Sequence, residues 1–256
     1  MTADASVDAA LMGPPAPAIP QFPELAGFAL LALVLSLVGT VYILRLKGGL
    51  GLDEPDGRRK HHEKPVPRLG GAPIFAALVL GVVLLLWLGR LRWSEYGAIL
   101  VCNVLIFSVG FFDDLKALGA RVKLVGQIGV SLILYAFGVS IDVLSNPFGA
   151  GALDLGWWSL PITLFWLVAI PNIINLIDGM DGLAGGFGLF LSLTLAFVGY
   201  VGGHPEVMLL SVLMAGALAG FLFFNFPPAR IFLGDGGAYL IGFFVASVSL
   251  KSSQKG

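Results

Sequence analysis

Charged residues are scarce in this sequence of 256 residues: Asp, Glu, Lys and Arg make up only 12% of it, whereas 57% of the residues are hydrophobic. Soluble domains usually carry about 25% charged residues, so this chain cannot cover most of its surface with groups that face water. Cysteine is also rare, and the single Cys102 excludes an internal disulfide. We interpret Cys102, which lies in an apolar run, as a packing residue. The net charge of −1 argues against general nucleic-acid binding.

Long apolar runs take the place of the missing charge. Each run approaches the ~20 residues that a membrane span needs. Several runs have no periodic polar face, as is typical of helices in lipid or inside a bundle. The sequence therefore predicts an all-α integral membrane protein with about eight transmembrane helices. The eight runs cover residues 25–46, 71–89, 95–112, 123–141, 157–177, 183–202, 206–225 and 236–250.

The segments outside these runs predict a simple domain organisation. Residues 1–24 are rich in Ala and Pro and are interpreted as a flexible N-terminal tail, and residues 251–256 as a short second tail. The first run is too long for the apolar region of a signal peptide and no basic segment precedes it, so we interpret it as a span. Residues 25–250 then form one polytopic membrane domain.

The loops between the runs alternate in character, and those after the first, third, fifth and seventh runs are polar. Alternate loops lie on the same side of a membrane, so these four loops face one compartment. The opposite loops contain only Arg90 and Arg92 as basic residues. The positive-inside rule then places the polar loops in the cytoplasm and the N-terminus outside. The basic residues on the polar-loop side are Arg45, Lys47, Arg58, Arg59, Lys60, Lys64, Arg68, Lys116, Arg121, Lys123 and Arg230.

The first polar loop, residues 53–71, is basic and contains several Pro and Gly residues. One interpretation is a basic loop that only sets the membrane orientation. The other is an anion site beside the membrane, where Arg and Lys bind phosphate.

The second polar loop, residues 110–127, places Asp113 and Asp114 at the end of a span, with Lys123 ten residues beyond Asp113. Two adjacent carboxylates near hydrocarbon are costly unless a cation or a donor neutralises them. The alternative is an exposed helix end with ordinary solvated charges.

The third polar loop, residues 171–186, carries Asn172, Asn175 and Asp178 at spacings of three, which puts them on one face of a helix. Together with Asp181 they supply oxygen ligands of the kind that bind hard cations. Helix capping would explain one or two of these residues but not all of them. In the fourth loop, residues 224–242, Asp235 lies in a Gly-Asp-Gly-Gly sequence where a span begins, although turn formation alone is an alternative.

The four loops together contain carboxylates and amides for a divalent ion and cations for phosphates. This combination is typical of phosphoryl transfer, in which catalysis consists mainly of positioning and charge stabilisation. Mg²⁺ is the expected ion, because it prefers oxygen ligands and shares its coordination with substrate phosphates. The apolar body of the protein indicates that one substrate is a lipid.

From about residue 30 to residue 250, the order and content of these loops resemble the polyprenyl-phosphate N-acetylhexosamine-1-phosphate transferase family. The first loop is similar to the hexosamine branch of that family, with its Asp-x-Pro, Arg-Lys-x-His and Pro-x-Pro-x-x-Gly-Gly motifs. This similarity favours N-acetylglucosamine-type substrates over the muramoyl-pentapeptide branch. The matching residues here are Asp53 and Pro55, then Arg59, Lys60 and His62, then Pro65, Pro67, Gly70 and Gly71.

The resemblance implies the transfer of N-acetylhexosamine-1-phosphate from a UDP-sugar to undecaprenyl phosphate, with release of UMP, at the cytoplasmic face of the bacterial inner membrane. This reaction initiates a lipid-linked cell-envelope glycan. The implied magnesium ligands are Asn175 and Asp235, with Mn²⁺ as an alternative ion. The implied catalytic residues are Asp113, which we favour as the base, Asp114, Lys123 and Asp235. The implied substrate-binding residues are Arg59, His62, Lys64, Asn172, Asp178, Asp181, Asn225 and Phe232, the last as a stacking partner of uracil.

One departure from the family pattern leaves alternatives open. The family continues with a fifth cytoplasmic loop that carries His and Arg, whereas this sequence stops at Gly256, so we expect the chain to be C-terminally incomplete. The alternatives are an impaired homologue that binds a UDP-sugar or lipid without turnover, and a transporter or flippase. Clustering of the carboxylates at one membrane face disfavours the transporter. The particular N-acetylhexosamine, the glycan pathway and the oligomeric state, including a homodimer, are left open.

Overall fold

The computed structural model describes residues 20–46, 52–53, 66–145, 149 and 151–254. Within these ranges the chain forms eight α-helices and two short antiparallel strand pairs. The strand pairs are β1 (Leu52–Asp53) with β2 (Val66–Pro67), and β3 (Val143–Ser145) with β4 (Ala152–Asp154), and a 3₁₀ turn spans Gly156–Trp158. The helices are α1 (Phe22–Arg45), α2 (Gly71–Trp87), α3 (Trp93–Lys116), α4 (Ala120–Ala136), α5 (Ser159–Ile177), α6 (Leu183–Val201), α7 (Pro205–Asn225) and α8 (Gly234–Gln254).

Each of the eight apolar runs corresponds to a helix, but several helices extend beyond the predicted ends. Helix α1 begins at Phe22, within the segment predicted as a tail. Pro23 in its first turn has a φ angle already suited to a helix, and the negative charge of Glu24 interacts favourably with the positive N-terminal end of the helix dipole. Helix α8 continues to Gln254, and the Gln254 amide donates hydrogen bonds of 3.0 Å to the carbonyls of Gly138 and Ser140. These bonds explain why residues predicted as a C-terminal tail continue the helix.

Five helical segments in the described part of the chain are long and apolar enough to cross a membrane. These candidate spans are Phe22–Arg45, Trp93–Lys116, Gly156–Ile177, Leu183–Val201 and Pro205–Asn225. Helix α2 is apolar but has only 17 residues. Helix α4 is also short and carries Arg121 and Lys123 near its start, whereas α8 carries Asp235 and Lys251. The all-α membrane fold is supported, and the full number of eight spans stays a prediction.

Helix α8 lies at the centre of the bundle, packed against α2, α3, α5, α6 and α7. Almost every residue along it is buried, including Asp235 in its first turn and Tyr239 one turn later. Its N-terminal end approaches α2 so closely that a Cβ atom on Gly71 would collide with the backbone nitrogen of Gly237. The close contact fixes the position of Asp235 relative to the neighbouring helices. Small residues permit such approaches between membrane helices.

The two ends of the bundle carry different polar groups. At one end Arg90 forms an ion pair with Glu24 at 2.8 Å, and Arg92 lies 3.5 Å from the buried Glu206. These contacts join the start of α1, the α2–α3 loop and the start of α7. The described parts of the four polar loops lie at the opposite end, as the alternation of the loops predicted. The membrane face to which this end belongs stays a prediction.

The interior between the two ends is mostly apolar, with a few buried polar side chains such as Asn103 and Ser247. Cys102 is fully buried in this core, and its thiol lies 3.8 Å from the carbonyl of Val130 on α4. Its predicted role in packing is confirmed.

Candidate active site

Lys123 is the central side chain of the site, at the end of the bundle where the polar loops meet. Its ammonium group donates hydrogen bonds to Asp113 Oδ2 at 3.0 Å and to Asp235 Oδ2 at 2.8 Å. The three side chains are largely buried, with 22%, 13% and 10% of their surfaces exposed. They come from the first turn of α4, the last turn of α3 and the first turn of α8. The predicted catalytic residues Asp113, Lys123 and Asp235 are therefore in direct contact.

Two further side chains converge on the second oxygen of Asp235. Asn175, in the last turn of α5, donates its amide nitrogen to Asp235 Oδ1 at 3.0 Å. Arg68, just after β2, places a guanidinium nitrogen 3.9 Å from the same oxygen. The structure thus brings the two predicted magnesium ligands together. Arg68 was recognised in the sequence only as part of the basic loop.

Asp114 points away from its neighbour Asp113 and caps the start of α8. Its two carboxylate oxygens accept hydrogen bonds from the backbone N–H groups of Asp235 at 2.8 Å and Gly236 at 2.9 Å. The preceding Gly234 has a φ of +77°, and a side chain there would collide with the Arg68 carbonyl and the Asp114 carboxylate. Asp114 therefore orients the helix that carries Asp235, and its predicted catalytic role stays a prediction.

A layer of polar side chains lies beneath the Lys123 cluster. The Asn172 amide donates to Gln127 Oε1 at 2.5 Å and to the Val168 carbonyl at 2.7 Å. Gln127 is buried, and its amide lies near the hydroxyl of Tyr239 on α8. The layer links α4, α5 and α8. Gln127 and Tyr239 were missed in the sequence, although each lies four residues after a recognised site residue and so on the same helix face.

Asp181 and Asn225 join the α5–α6 loop to the α7–α8 loop. The Asn225 amide accepts a hydrogen bond from the Gly182 N–H at 3.1 Å and donates to the Ile231 carbonyl at 2.9 Å. Asp181 accepts a bond of 2.9 Å from the Ala229 N–H. Both side chains stabilise the loops that border the site, and their predicted contacts with substrate stay predictions.

Of the other predicted substrate-binding residues, Phe232 and Asp178 lie in loops near this cluster, and three lie outside the described residues. Phe232 is half-buried, and its backbone N–H and carbonyl bond to Pro67 and Gly70, which ties the α7–α8 loop to β2. Asp178 follows α5 directly, and burial raises the pKa of its carboxyl group to about 7, with nearby Arg68 acting in the opposite direction. Arg59, His62 and Lys64 lie outside the described residues.

The sequence profile described as "Glycosyl transferase family 4" matches residues 96–253, which is more than half of the chain. The chain belongs to glycosyl transferase family 4.

Relatives of this family 4 chain carry related names. It is 37% identical over 226 residues to a probable undecaprenyl-phosphate N-acetylglucosaminyl 1-phosphate transferase of Bacillus subtilis, covering 88% of this chain and 62% of that protein. It is 36% identical over 245 residues to a decaprenyl-phosphate N-acetylglucosaminephosphotransferase of Mycobacterium tuberculosis, covering 90% and 61%. It is 30% identical over 247 residues to a phospho-N-acetylmuramoyl-pentapeptide-transferase of Halalkalibacterium halodurans, covering 88% and 75%. The chain thus spans about three fifths of the length of the first two relatives.

The Lys123 cluster contains oxygen ligands of the kind that bind Mg²⁺. Among the described residues there is no group of three or more His, Cys, Asp and Glu side chains suited to a metal ion. The cluster offers two carboxylates, Asp113 and Asp235, while Asn175 uses only its nitrogen for Asp235 and keeps its amide oxygen available. Mg²⁺ is usually held by one or two carboxylates together with waters and substrate phosphates. The donor set of the family 4 site fits such an ion.

Proposed function

We propose that this protein transfers N-acetylhexosamine-1-phosphate, with N-acetylglucosamine as the sugar, from a UDP-sugar to undecaprenyl phosphate and releases UMP. The reaction takes place at the cytoplasmic face of the bacterial inner membrane and depends on Mg²⁺. The observation that carries the proposal is the contact between Asp113, Lys123, Asn175 and Asp235, which come from four different helices and meet at one end of an apolar bundle. Family membership supports the transferase class.

The arrangement suits phosphoryl transfer because it combines anionic and cationic groups in a partly buried place. Asp235 and Asn175 would hold Mg²⁺, which supplies charge neutralisation at the diphosphate when it is bound. Lys123 and Arg68 provide cations that stabilise negative charge on the transferred phosphoryl group. A phosphate monoester is already largely ionised at neutral pH, because its second pKa is about 6. Deprotonation by Asp113 is therefore less important in this proposal than charge stabilisation.

The choice of N-acetylglucosamine rests on the first polar loop and on the relatives. The loop has the motifs of the hexosamine branch, and the two N-acetylglucosamine enzymes are 37% and 36% identical to this chain, against 30% for the pentapeptide transferase. The apolar helices that surround the site would accommodate the polyprenyl chain within the bilayer, so that its phosphate reaches the membrane surface.

The test is a turnover assay with the purified protein in detergent. UDP-N-acetylglucosamine and undecaprenyl phosphate are supplied with Mg²⁺, and the release of UMP is measured together with the lipid-linked product. UDP-N-acetylgalactosamine serves as the competing sugar donor. Binding of UDP-N-acetylglucosamine without UMP release would instead support the catalytically impaired homologue.

A pair of variants links the assay to the site. Asp235→Asn should lower turnover and weaken Mg²⁺ activation together, because it removes one of the two carboxylates. Asp154→Asn is the matched control, since Asp154 lies in the exposed β4 strand away from the Lys123 cluster and its carboxylate accepts a hydrogen bond from the nearby Gly156 N–H. Unchanged turnover in Asp235→Asn would contradict the metal role.

A further inference from the structure

The ammonium group of Lys123 occupies the point at which the carboxylates of Asp113 and Asp235 converge. It binds the Oδ2 atom of each residue, at 3.0 Å and 2.8 Å. The other oxygen of each carboxylate has a different partner, because Asp113 Oδ1 accepts from the Leu118 N–H at 2.6 Å and Asp235 Oδ1 accepts from Asn175 at 3.0 Å. The two Oδ2 atoms are therefore the pair directed at a common cation.

Lysine is suited to hold this place reversibly. Its ammonium is a compact charge on a flexible stem with rotatable donors, and 22% of the Lys123 side chain is exposed, which leaves it a route out of the cluster. A divalent cation held by Asp113 and Asp235 would occupy the same point as the Lys123 nitrogen. Repulsion between the two cations in this partly buried site would be strong.

We propose that Lys123 is an intramolecular competitor of the divalent cation, which must displace the Lys123 ammonium from the Asp113 and Asp235 carboxylates in order to bind. The displaced ammonium is then free to bind phosphate oxygens, so cation binding and phosphate binding are coupled through one side chain. This inference rests on the metal site of the proposed function, in which Asp235 and Asn175 hold the ion, and adds Asp113 as a further ligand. Removal of Lys123 should therefore raise the affinity for the metal, whereas removal of a residue that positions the carboxylates would lower it.

The experiment measures Mn²⁺ binding to the purified chain in detergent by electron paramagnetic resonance, without any substrate. Lys123→Met removes the competing charge and keeps much of the apolar stem. We expect it to bind Mn²⁺ about tenfold more tightly or better, since the cation no longer has to break two hydrogen bonds between charged groups. Lys116→Met is the control, because Lys116 is an exposed lysine in the same loop region. It should keep the Mn²⁺ affinity of the unaltered protein.

Unchanged or weaker Mn²⁺ binding by a folded Lys123→Met variant would overturn the inference, because it would mean that Lys123 organises the carboxylates rather than competes for them. Failure of the proposed transferase reaction would not give this result, since no turnover is measured. Absence of Mn²⁺ binding by the unaltered protein and by both variants would reject the metal site and the inference together.

A second measurement needs no variant. Acetic anhydride modifies free lysines faster than lysines in ion pairs, and mass spectrometry of peptides gives the rate at each lysine. Saturating Mg²⁺ should accelerate the acetylation of Lys123 several-fold and leave Lys116 unchanged. An unchanged rate at Lys123 while Mg²⁺ is bound would refute the displacement.

Discussion

Replacement of Asp114 separates the two roles that an aspartate at this position can have. The structure assigns both of its carboxylate oxygens to the backbone N–H groups of Asp235 and Gly236, at 2.8 Å and 2.9 Å. Asp114→Ala would leave these N–H groups at the start of α8 without their acceptor, in a part of the bundle from which water is largely excluded. The first turn of α8 would then lose its fixed direction, and with it the position of the Asp235 carboxylate.

The expected loss of stability follows from the bonds involved. A hydrogen bond to a charged group contributes about 1.5–3 kcal/mol, and loss of an N-terminal cap typically costs about 1 kcal/mol. Removal of the Asp114 carboxylate removes a desolvation cost as well, so we expect a net loss of roughly 3 kcal/mol for Asp114→Ala. Asp114→Asn retains one acceptor oxygen and should lose about half of this amount.

Thermal unfolding in detergent, followed by intrinsic fluorescence, gives the order of stability, and Mn²⁺ binding reports the position of Asp235. Asp181→Ala is the control, because it removes one hydrogen bond from an exposed loop carboxylate, at 2.9 Å to the Ala229 N–H. It should cost less than about 1 kcal/mol. If Asp114→Asn and Asp114→Ala were as stable as the unaltered protein and bound Mn²⁺ normally, yet had no turnover, the capping role would be refuted in favour of direct catalysis.

Three further predictions concern the layer beneath the site, the helix contacts and the response to pH. Gln127→Leu should weaken Mn²⁺ binding several-fold, because it removes the hydrogen bond from Asn172 that joins α5 to α4. Asn103→Leu replaces a buried amide on α3 far from the site and should leave Mn²⁺ binding unchanged. Gly71→Ala should destabilise the bundle by about 1–3 kcal/mol, because the added Cβ meets backbone of α8, and Gly129→Ala, where the Cβ would meet open space, should not. Burial raises the pKa of the Asp178 carboxyl group to about 7, so the folded protein binds the Asp178 proton more tightly than the unfolded chain does. The stability that this proton contributes to the folded state is lost as the pH rises through 7. The melting temperature should therefore fall less between about pH 5 and pH 8 in Asp178→Asn than in the unaltered protein.

The sequence alone predicts that the charged residues of the site lie together, because a charged side chain is costly at the edge of an apolar span. Asp113, Lys123 and Asp235 stand at the ends of apolar runs, and the alternation of loops brings them to one end of the bundle. The structure adds that they share hydrogen bonds, which no sequence spacing dictates across 112 residues.

The sequence does not distinguish Asp113 from Asp114, because the two residues are adjacent and lie in the same apolar sequence context. On a helix, consecutive side chains point about 100° apart, so Asp113 reaches Lys123 while Asp114 reaches the start of α8. Gln127 and Tyr239 were missed for a different reason. Single polar residues inside apolar helices usually pack or bond locally, and only the three-dimensional arrangement of α4, α5 and α8 brings these two side chains to the same layer.

The polar groups at the two ends of α7 set a length that the membrane must match. Glu206 and Asn225 are buried polar side chains near opposite ends of this helix, and the 19 residue steps between them correspond to roughly 28 Å at about 1.5 Å per residue. This length is close to the ~30 Å hydrocarbon thickness of a typical bilayer. A thinner or thicker bilayer would tilt the bundle or draw the Lys123 cluster away from the headgroup level. For the proposed function, bilayer thickness should therefore govern whether a water-soluble sugar nucleotide and a lipid phosphate reach the cluster at the same depth.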